Sequence, residues 1–253
     1  MKKKLLLTAC VMAFLFMGCE PNEPQLKGVF SVAADKQVVF STGNLQYHPA
    51  NKKWRFAETQ TQYIGEKNAQ ISSSYNGWID LFGWGTGDNP TNASIVDSDY
   101  QFFVDWGTNK IGKDSSKSWR TLTFDEWTYL LEKRPNANQL RGGVDMNGVS
   151  GLLLLPDNWE STADITLDLG SEKYPSFTAD QWSQLEALGA VFLPAAGWRS
   201  GDDVEYVQFV GAYWSSTGYA VDAFSVYFFF DEVVHIDVGV RDAGQSVRLV
   251  KDL

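Results

Sequence analysis

The chain has 253 residues, a formal charge of −10 and only two cysteines, Cys10 and Cys19. Such acidity excludes nucleic acid and an anionic membrane face as direct partners, and two thiols are too few for a disulfide framework or a thiolate zinc site. Ten Trp, sixteen Phe and ten Tyr supply a large core, because each ring buries about 150–250 Å².

Met1-Lys2-Lys3-Lys4 is a positive n-region. Leu5 to Met17 is apolar but too short to span a bilayer, and Phe16-Met17-Gly18-Cys19 leads straight into Glu20-Pro21-Asn22-Glu23-Pro24. This arrangement resembles a bacterial lipobox. The resemblance implies a signal peptide over residues 1–18, a Cys19 carrying diacylglycerol and an amide-linked acyl chain such as palmitate, and a tether over 19–27. More than one acyl chain gives stable anchoring. Cleavage removes Lys2, Lys3 and Lys4, which takes the charge from −10 to −13, and leaves no unmodified thiol. The expected location is the cell envelope, at the outer membrane with surface exposure, and the lipid is the only expected membrane contact. Residues 28–253 read as one domain, since no second linker or low-complexity tract interrupts them.

The domain begins with β-type alternation. Gly28–Val32 and Gln37–Ser41 flank a turn at Ala34-Asp35-Lys36, and Leu45–His48 and Lys53–Phe56 flank Pro49-Ala50-Asn51-Lys52. From Gly65 to Ser118 the chain is rich in Gly, Asn, Asp and Ser, yet it holds Tyr75, Trp78, Phe82, Trp84, Tyr100, Phe102, Phe103 and Trp106. Disordered segments lack such rings, so a long ordered loop packed by its own aromatics is expected. Thr123-Phe124-Asp125-Glu126 and Thr178-Ala179-Asp180-Gln181 each fit a capping box. Leu122 with Trp127, and Phe177 with Trp182, stand at the staple positions. The first helix should end near Lys133, before Pro135, and the second at Gly189. Apolar strands follow at Gly151–Pro156 and Ala190–Pro194. Phe224–Phe230 and Val233–Val238 read as a hairpin about Asp231-Glu232, and Gln245–Val250 as a closing strand. Strands at both ends with helices between give an α+β class.

Trp119-Arg120-Thr121-Leu122-Thr123-Phe124-Asp125-Glu126-Trp127 resembles the Trp-Arg-Leu-Pro-Thr-x-x-Glu-Trp signature of the formylglycine-generating (sulfatase-modifying factor) superfamily. It also resembles that of the related Fibrobacter succinogenes major paralogous domains. Tyr213-Trp214-Ser215-Ser216-Thr217 and Ser246-Val247-Arg248-Leu249-Val250 look like two later segments of the same families, in the same order. The opening looks like that of many Bacteroidetes lipoproteins. The resemblance implies a C-type-lectin-like fold with small antiparallel sheets, two short helices, long ordered loops and a sheet joining the termini. It does not carry the oxidase chemistry, which uses a cysteine pair in the C-terminal part of the chain. No Cys follows Cys19.

No catalytic motif stands out. Two His, His48 and His235, lie on separate strands, and no Gly-x-Ser-x-Gly elbow or phosphate loop occurs. No cofactor is expected. Asp88, Asp97, Asp99 and Asp105 crowd the long loop and leave Ca²⁺ open, since hard cations take oxygen ligands, although no EF-hand spacing is present. Arg120 and Arg248 are expected to pair with buried carboxylates. What remains is the combination of rings with Asp, Asn and Gly in two loop regions, a composition suited to sugars. Trp84, Trp106 and Trp198, with Asp88, Asp105 and Asp202, are the candidate ligand-binding residues, on the expectation that both regions share one face. The function expected is non-catalytic binding of a glycan or surface protein. The alternatives are an assembly subunit of a surface or fimbrial complex and a carboxylate-dependent glycoside hydrolase.

Overall fold

A computed structural model describes residues 26–161, 167, 169, 174–229 and 234–253. The lipobox, Cys19 and the turn at Asp231-Glu232 lie outside the described residues. Strands β1 (Phe30–Ala33) and β2 (Lys36–Phe40) form a first hairpin, and β3 (Leu45–His48) and β4 (Lys53–Phe56) a second. Among the described residues between β4 and Ser118 only 3₁₀ turns occur, at Gly65–Gln70, Asp97–Tyr100 and Trp106–Thr108. Helix α1 (Phe124–Thr128) runs on as a π-helical turn over Tyr129–Lys133. Then come β5 (Arg141–Met146), β6 (Val149–Leu154), β7 (Ser176–Phe177), α2 (Ala179–Ala187) and β8 (Val191–Pro194). The last strands are β9 (Trp198–Ser200), β10 (Asp203–Glu205), β11 (Val210–Tyr219), β12 (Asp222–Phe229), β13 (His235–Val240) and β14 (Val250–Asp252).

The architecture is α+β, mostly small antiparallel sheets with few helices. The sheet β1-β2-β14 joins the chain's two ends, with Val250 opposite Phe40 and Asp252 opposite Val38. The β7-β5-β6-β8 sheet carries α2, and β11-β12-β13 forms a third layer. Both capping boxes are complete: Thr123 and Thr178 accept from the Glu126 and Gln181 amides, which return side-chain bonds at 2.9 Å each. Gly189, at φ +95°, takes the left-handed position after α2. Leu122 and Trp127 enter the core shared by the terminal sheet, β6, β8, β11 and β12. Phe177 and Trp182 enter the core beneath α2.

A third core fills the loop region. It comprises Leu45, Trp54, Phe82, Trp84, Trp106, Trp119 and Trp214, with ring centroids 5.6 Å apart for Trp54–Phe82 and 6.3 Å for Phe82–Trp106. Isolated bridges pin the backbone around these rings, including Tyr47 to Ile79, Phe82 to Gln245 and Thr86 to Val104. The expected closing strand is therefore shorter than its alternation suggests. Residues 245–247 bond in turn to Phe82, to Ala212 and Trp214, and to Leu45, and only Val250–Asp252 joins a ladder.

Arg120 pairs as expected. It donates to Glu126 at 2.7 Å and to Asp252 at 2.6 Å, and Lys36 completes the cluster at 2.9 Å from Glu126. Burial alone would raise the Glu126 carboxyl, but bonds from Arg120, Lys36 and the Thr123 amide outweigh it and hold the pKa below the usual range. Arg248 corrects the expectation. It is fully buried and meets no carboxylate directly; it donates to Asn44 Oδ1 at 3.2 Å and Gln60 Oε1 at 2.6 Å. Burial lowers its pKa to about 10, partly offset by Tyr213 and Glu186.

Because each cap satisfies otherwise orphaned amides, Thr123→Ala and Thr178→Ala should each lose about 0.5–2 kcal/mol of stability. Urea midpoints will show this, and unmoved midpoints in both variants would contradict the two boxes.

Candidate functional site

The two loop regions do approach each other. Trp84 donates its indole N–H to the Ser215 carbonyl at 3.0 Å, Arg199 reaches the Asn92 carbonyl at 3.5 Å, and Ile95 lies against Gly201. The rings are largely consumed in making this junction. Trp106 is fully buried, its ring between Phe82 and Phe103, and offers no surface to a ligand. Trp84 is 4 % exposed and is covered by the Arg241 guanidinium, 4.3 Å from the ring centroid. Asp105 is a cap: Oδ1 accepts from the Gly107 amide and the Thr121 hydroxyl, and Oδ2 from the Thr121 amide. Asp88 is exposed and shares a polar depression of about 260 Å³ with the edge of Trp84, Asn92, Asp99 and Tyr100. Asp202 is exposed in the β9–β10 turn, apart from the depressions lined by Trp84 and Trp198.

Trp198 alone of the three lines a larger groove, of about 650 Å³. One wall is the β9–β10 hairpin, where Trp198 stands opposite Glu205. The other wall is one face of the β12–β13 pair. Tyr227 lies opposite His235 and Ser225 opposite Asp237, so Tyr227, Phe229, His235, Asp237 and Gly239 face the same way. The alternate residues Val226, Phe228 and Ile236 enter the core. The floor is Gln245, which donates Nε2 to the Tyr227 hydroxyl at 2.7 Å. Position 239 must be glycine for this floor, because a Cβ there would lie 2.3 Å from that hydroxyl.

Trp198, Tyr227 and Phe229 define the groove's apolar surface. Trp198 lies 4.8 Å from Tyr206 and meets Tyr227 edge to face at 6.5 Å. Burial raises the Tyr227 pKa, opposed by the bond from Gln245. Glu205, Asp237 and Asp242 supply charge, and no Lys or Arg is among the described lining residues. Burial raises the Asp242 carboxyl, with Asp97 adding to the rise and Arg199 opposing it. Arg199 is itself buried behind the groove and donates to the Gly201 carbonyl.

Of this groove only Trp198 is visible in the sequence as a candidate. Tyr227, Phe229, Glu205, His235, Asp237, Asp242 and Gln245 are not. One signal does point there: Phe224–Phe230 is aromatic at both parities, so a hairpin with one face in the core must present rings on the other as well. Among the described residues no three His, Cys, Asp or Glu converge on a point, and the loop aspartates are spread between capping and solvent. The other carboxyl with a raised pKa is Asp80, pushed up to about 6 by burial against bonds from Asn68 and the Ile64 amide. It is fully buried, away from the groove lining.

No family model matches the chain, and neither does any curated protein or solved structure.

The Asp80 pKa of about 6 lies above its ordinary 3.8, so the folded chain binds this proton more tightly than the unfolded chain does. Its stabilising share is complete below the unfolded pKa and is lost as pH rises through the folded one. Asp80→Asn removes that dependence. From about pH 4 to about pH 7 the wild-type urea midpoint should fall relative to the variant's, whereas parallel curves would contradict the sealed carboxyl.

Proposed function

We propose that the chain is a lipid-anchored cell-envelope protein that binds a glycan, without catalysing a reaction on it, in the groove between the β9–β10 hairpin and the β12–β13 face. One observation carries the reading: three aromatic side chains, Trp198, Tyr227 and Phe229, meet carboxylates and an amide in a groove of about 650 Å³. That volume lies within the range of ligand sites, about 300–1,000 Å³. Flat rings suit the apolar faces of pyranoses, and Glu205, Asp237 and Asp242 suit their hydroxyls. The sheet joining the termini and the long pinned loops agree with a C-type-lectin-like fold, to which the Trp119–Trp127, Tyr213–Thr217 and Ser246–Val250 segments point. Anchoring through Cys19, at an outer membrane, follows from the lipobox-like start. Outside the groove Arg120 holds Glu126 and Asp252 below their usual range and Asp80 is sealed from solvent, so a carboxylate-dependent hydrolase would have to use Glu205, Asp237 or Asp242.

A second reading, an assembly subunit, is favoured by a cluster of exposed apolar side chains. Phe102 is 83 % and Val221 65 % exposed, with Tyr219 and Val240 nearby. Arg241 links their strands and loop through the Gln101, Ala220 and Asp222 carbonyls.

Binding is tested on a glycan array with the full chain, purified in a detergent without a sugar headgroup. For any glycan retained, Trp198→Ala should weaken affinity about tenfold with folding intact, the loss of one stacking ring of about 1–2 kcal/mol. Trp198→Ala at wild-type affinity, or an array without hits alongside a stable envelope-protein complex lost in Phe102→Ser, would favour assembly. Anchoring is tested by acyl labelling. Cys19→Ala should accept no label and leave the membrane fraction, and a labelled, membrane-bound variant would contradict the lipobox.

A further inference from the structure

The groove's charge is lopsided in a way its proposed role as a glycan site does not require. Neutral sugars are served by mixed donors and acceptors. Here Ser200, His235 and the Trp198 indole can donate, but three carboxylates, Glu205, Asp237 and Asp242, face them, and Lys and Arg are missing from the described lining. The buried floor adds another acceptor. Gln245 has no exposed surface; its Nε2 is spent on Tyr227, and its Oε1 has no donor within the protein. A buried acceptor without a donor is costly, and this one lies in the floor of the groove. Arg199 donates to the Gly201 and Asn92 carbonyls and, among the described residues, forms no ion pair with the rim carboxylates, although its charge opposes the rise at Asp242. The rings give the same preference, since an ammonium group is attracted to an aromatic face, most strongly to Trp.

We propose that the groove selects glycans carrying free amino groups, an oligosaccharide of 2-amino sugars, over neutral and acidic glycans. The inference rests on the reading of the groove as a glycan site and specifies its ligand. An amino sugar places an ammonium beside a pyranose face. The ring can lie on Trp198 and Tyr227 while the ammonium meets Glu205 or Asp237, and its hydroxyls supply donors for the remaining acceptors. A uronic acid in the same position would set like charges together in a chain already at −10. A basic peptide would satisfy the carboxylates but lacks the flat, hydroxylated face that the rings and Gln245 suit.

Calorimetric titration of the full chain, in the same sugar-free detergent, separates these cases. The probes are a short glucosamine oligomer, its N-acetylated counterpart, a galacturonic acid oligomer and an oligolysine of equal charge. The glucosamine oligomer should bind at least tenfold tighter than the N-acetylated one, and the uronate should show no heat. The preference should shrink in high salt, which screens exposed charges. It should also vanish in a Glu205→Gln/Asp237→Asn double variant, to which the two oligomers should bind equally. Both residues are exposed, and circular dichroism will verify that the variant folds. Equal affinity for the first two oligomers overturns charge selection and leaves the glycan site standing. Oligolysine bound as tightly as the glucosamine oligomer overturns sugar recognition in favour of charge alone. No heat with any sugar overturns both this inference and the glycan reading.

Discussion

Arg248 is the group on which the arrangement of the chain depends. A guanidinium without solvent is affordable only if its donors are used, and here they reach Asn44 at the start of β3 and Gln60 beyond β4. Each partner is committed further. Asn44 donates to the Tyr213 hydroxyl on β11, and that hydroxyl donates to the Pro194 carbonyl of β8. Gln60 accepts from the Phe192 amide and donates to Glu186 on α2 and to the Ala190 carbonyl. One buried cation thus ties the C-terminal segment to the first loops, to α2 and to two sheets. Networks of this kind penalise any packing that leaves a member unpaired. The Arg248 Nε has no protein partner, and the lowered pKa follows from that degree of burial.

The groove is a consequence of this frame. With residues 245–249 fixed, Gln245 is presented beneath β12 and β13, and Tyr227 closes over it. The β11-β12-β13 sheet then has one face in the core and the other facing the β9–β10 hairpin. A sheet face with Tyr227, Phe229, His235 and Asp237 and no covering helix among the described residues is a surface suited to a ligand.

Local chemistry was the readable part of this fold. The two capping boxes need four residues each, and both formed because Thr123 with Glu126, and Thr178 with Gln181, satisfy one another irrespective of tertiary context. The hairpins β1–β2 and β3–β4 were equally plain from alternation. By contrast, β5 carries Gly142 and Gly143, and β11 carries Gly211, Ser215 and Gly218, so their alternation is broken. Each nevertheless pairs with its chain neighbour, β5 with β6 across Asn147-Gly148 and β11 with β12 across Ala220-Val221, so the turns rather than the alternation carried the signal. The closing strand failed in the opposite way, since Gln245 to Leu249 alternate well but spend their backbone bonds on Phe82, β11, Leu45 and Ser41. The site divided for the same reason. Composition identifies a loop rich in Trp and Asp, but whether a given ring is core or surface depends on contacts such as Arg241 over Trp84, between residues far apart in the chain.

The central claim is that a ligand lies on Trp198, and the indole N–H resonances of a ¹⁵N-tryptophan-labelled chain test it most directly. On adding a glycan retained on the array, the Trp198 indole should move with a saturating dose dependence, while those of Trp106 and Trp127, fully buried in the two central cores, stay in place. A still Trp198 signal at saturating ligand, or shifts concentrated at Trp84 and its neighbours instead, would contradict the groove as the binding surface.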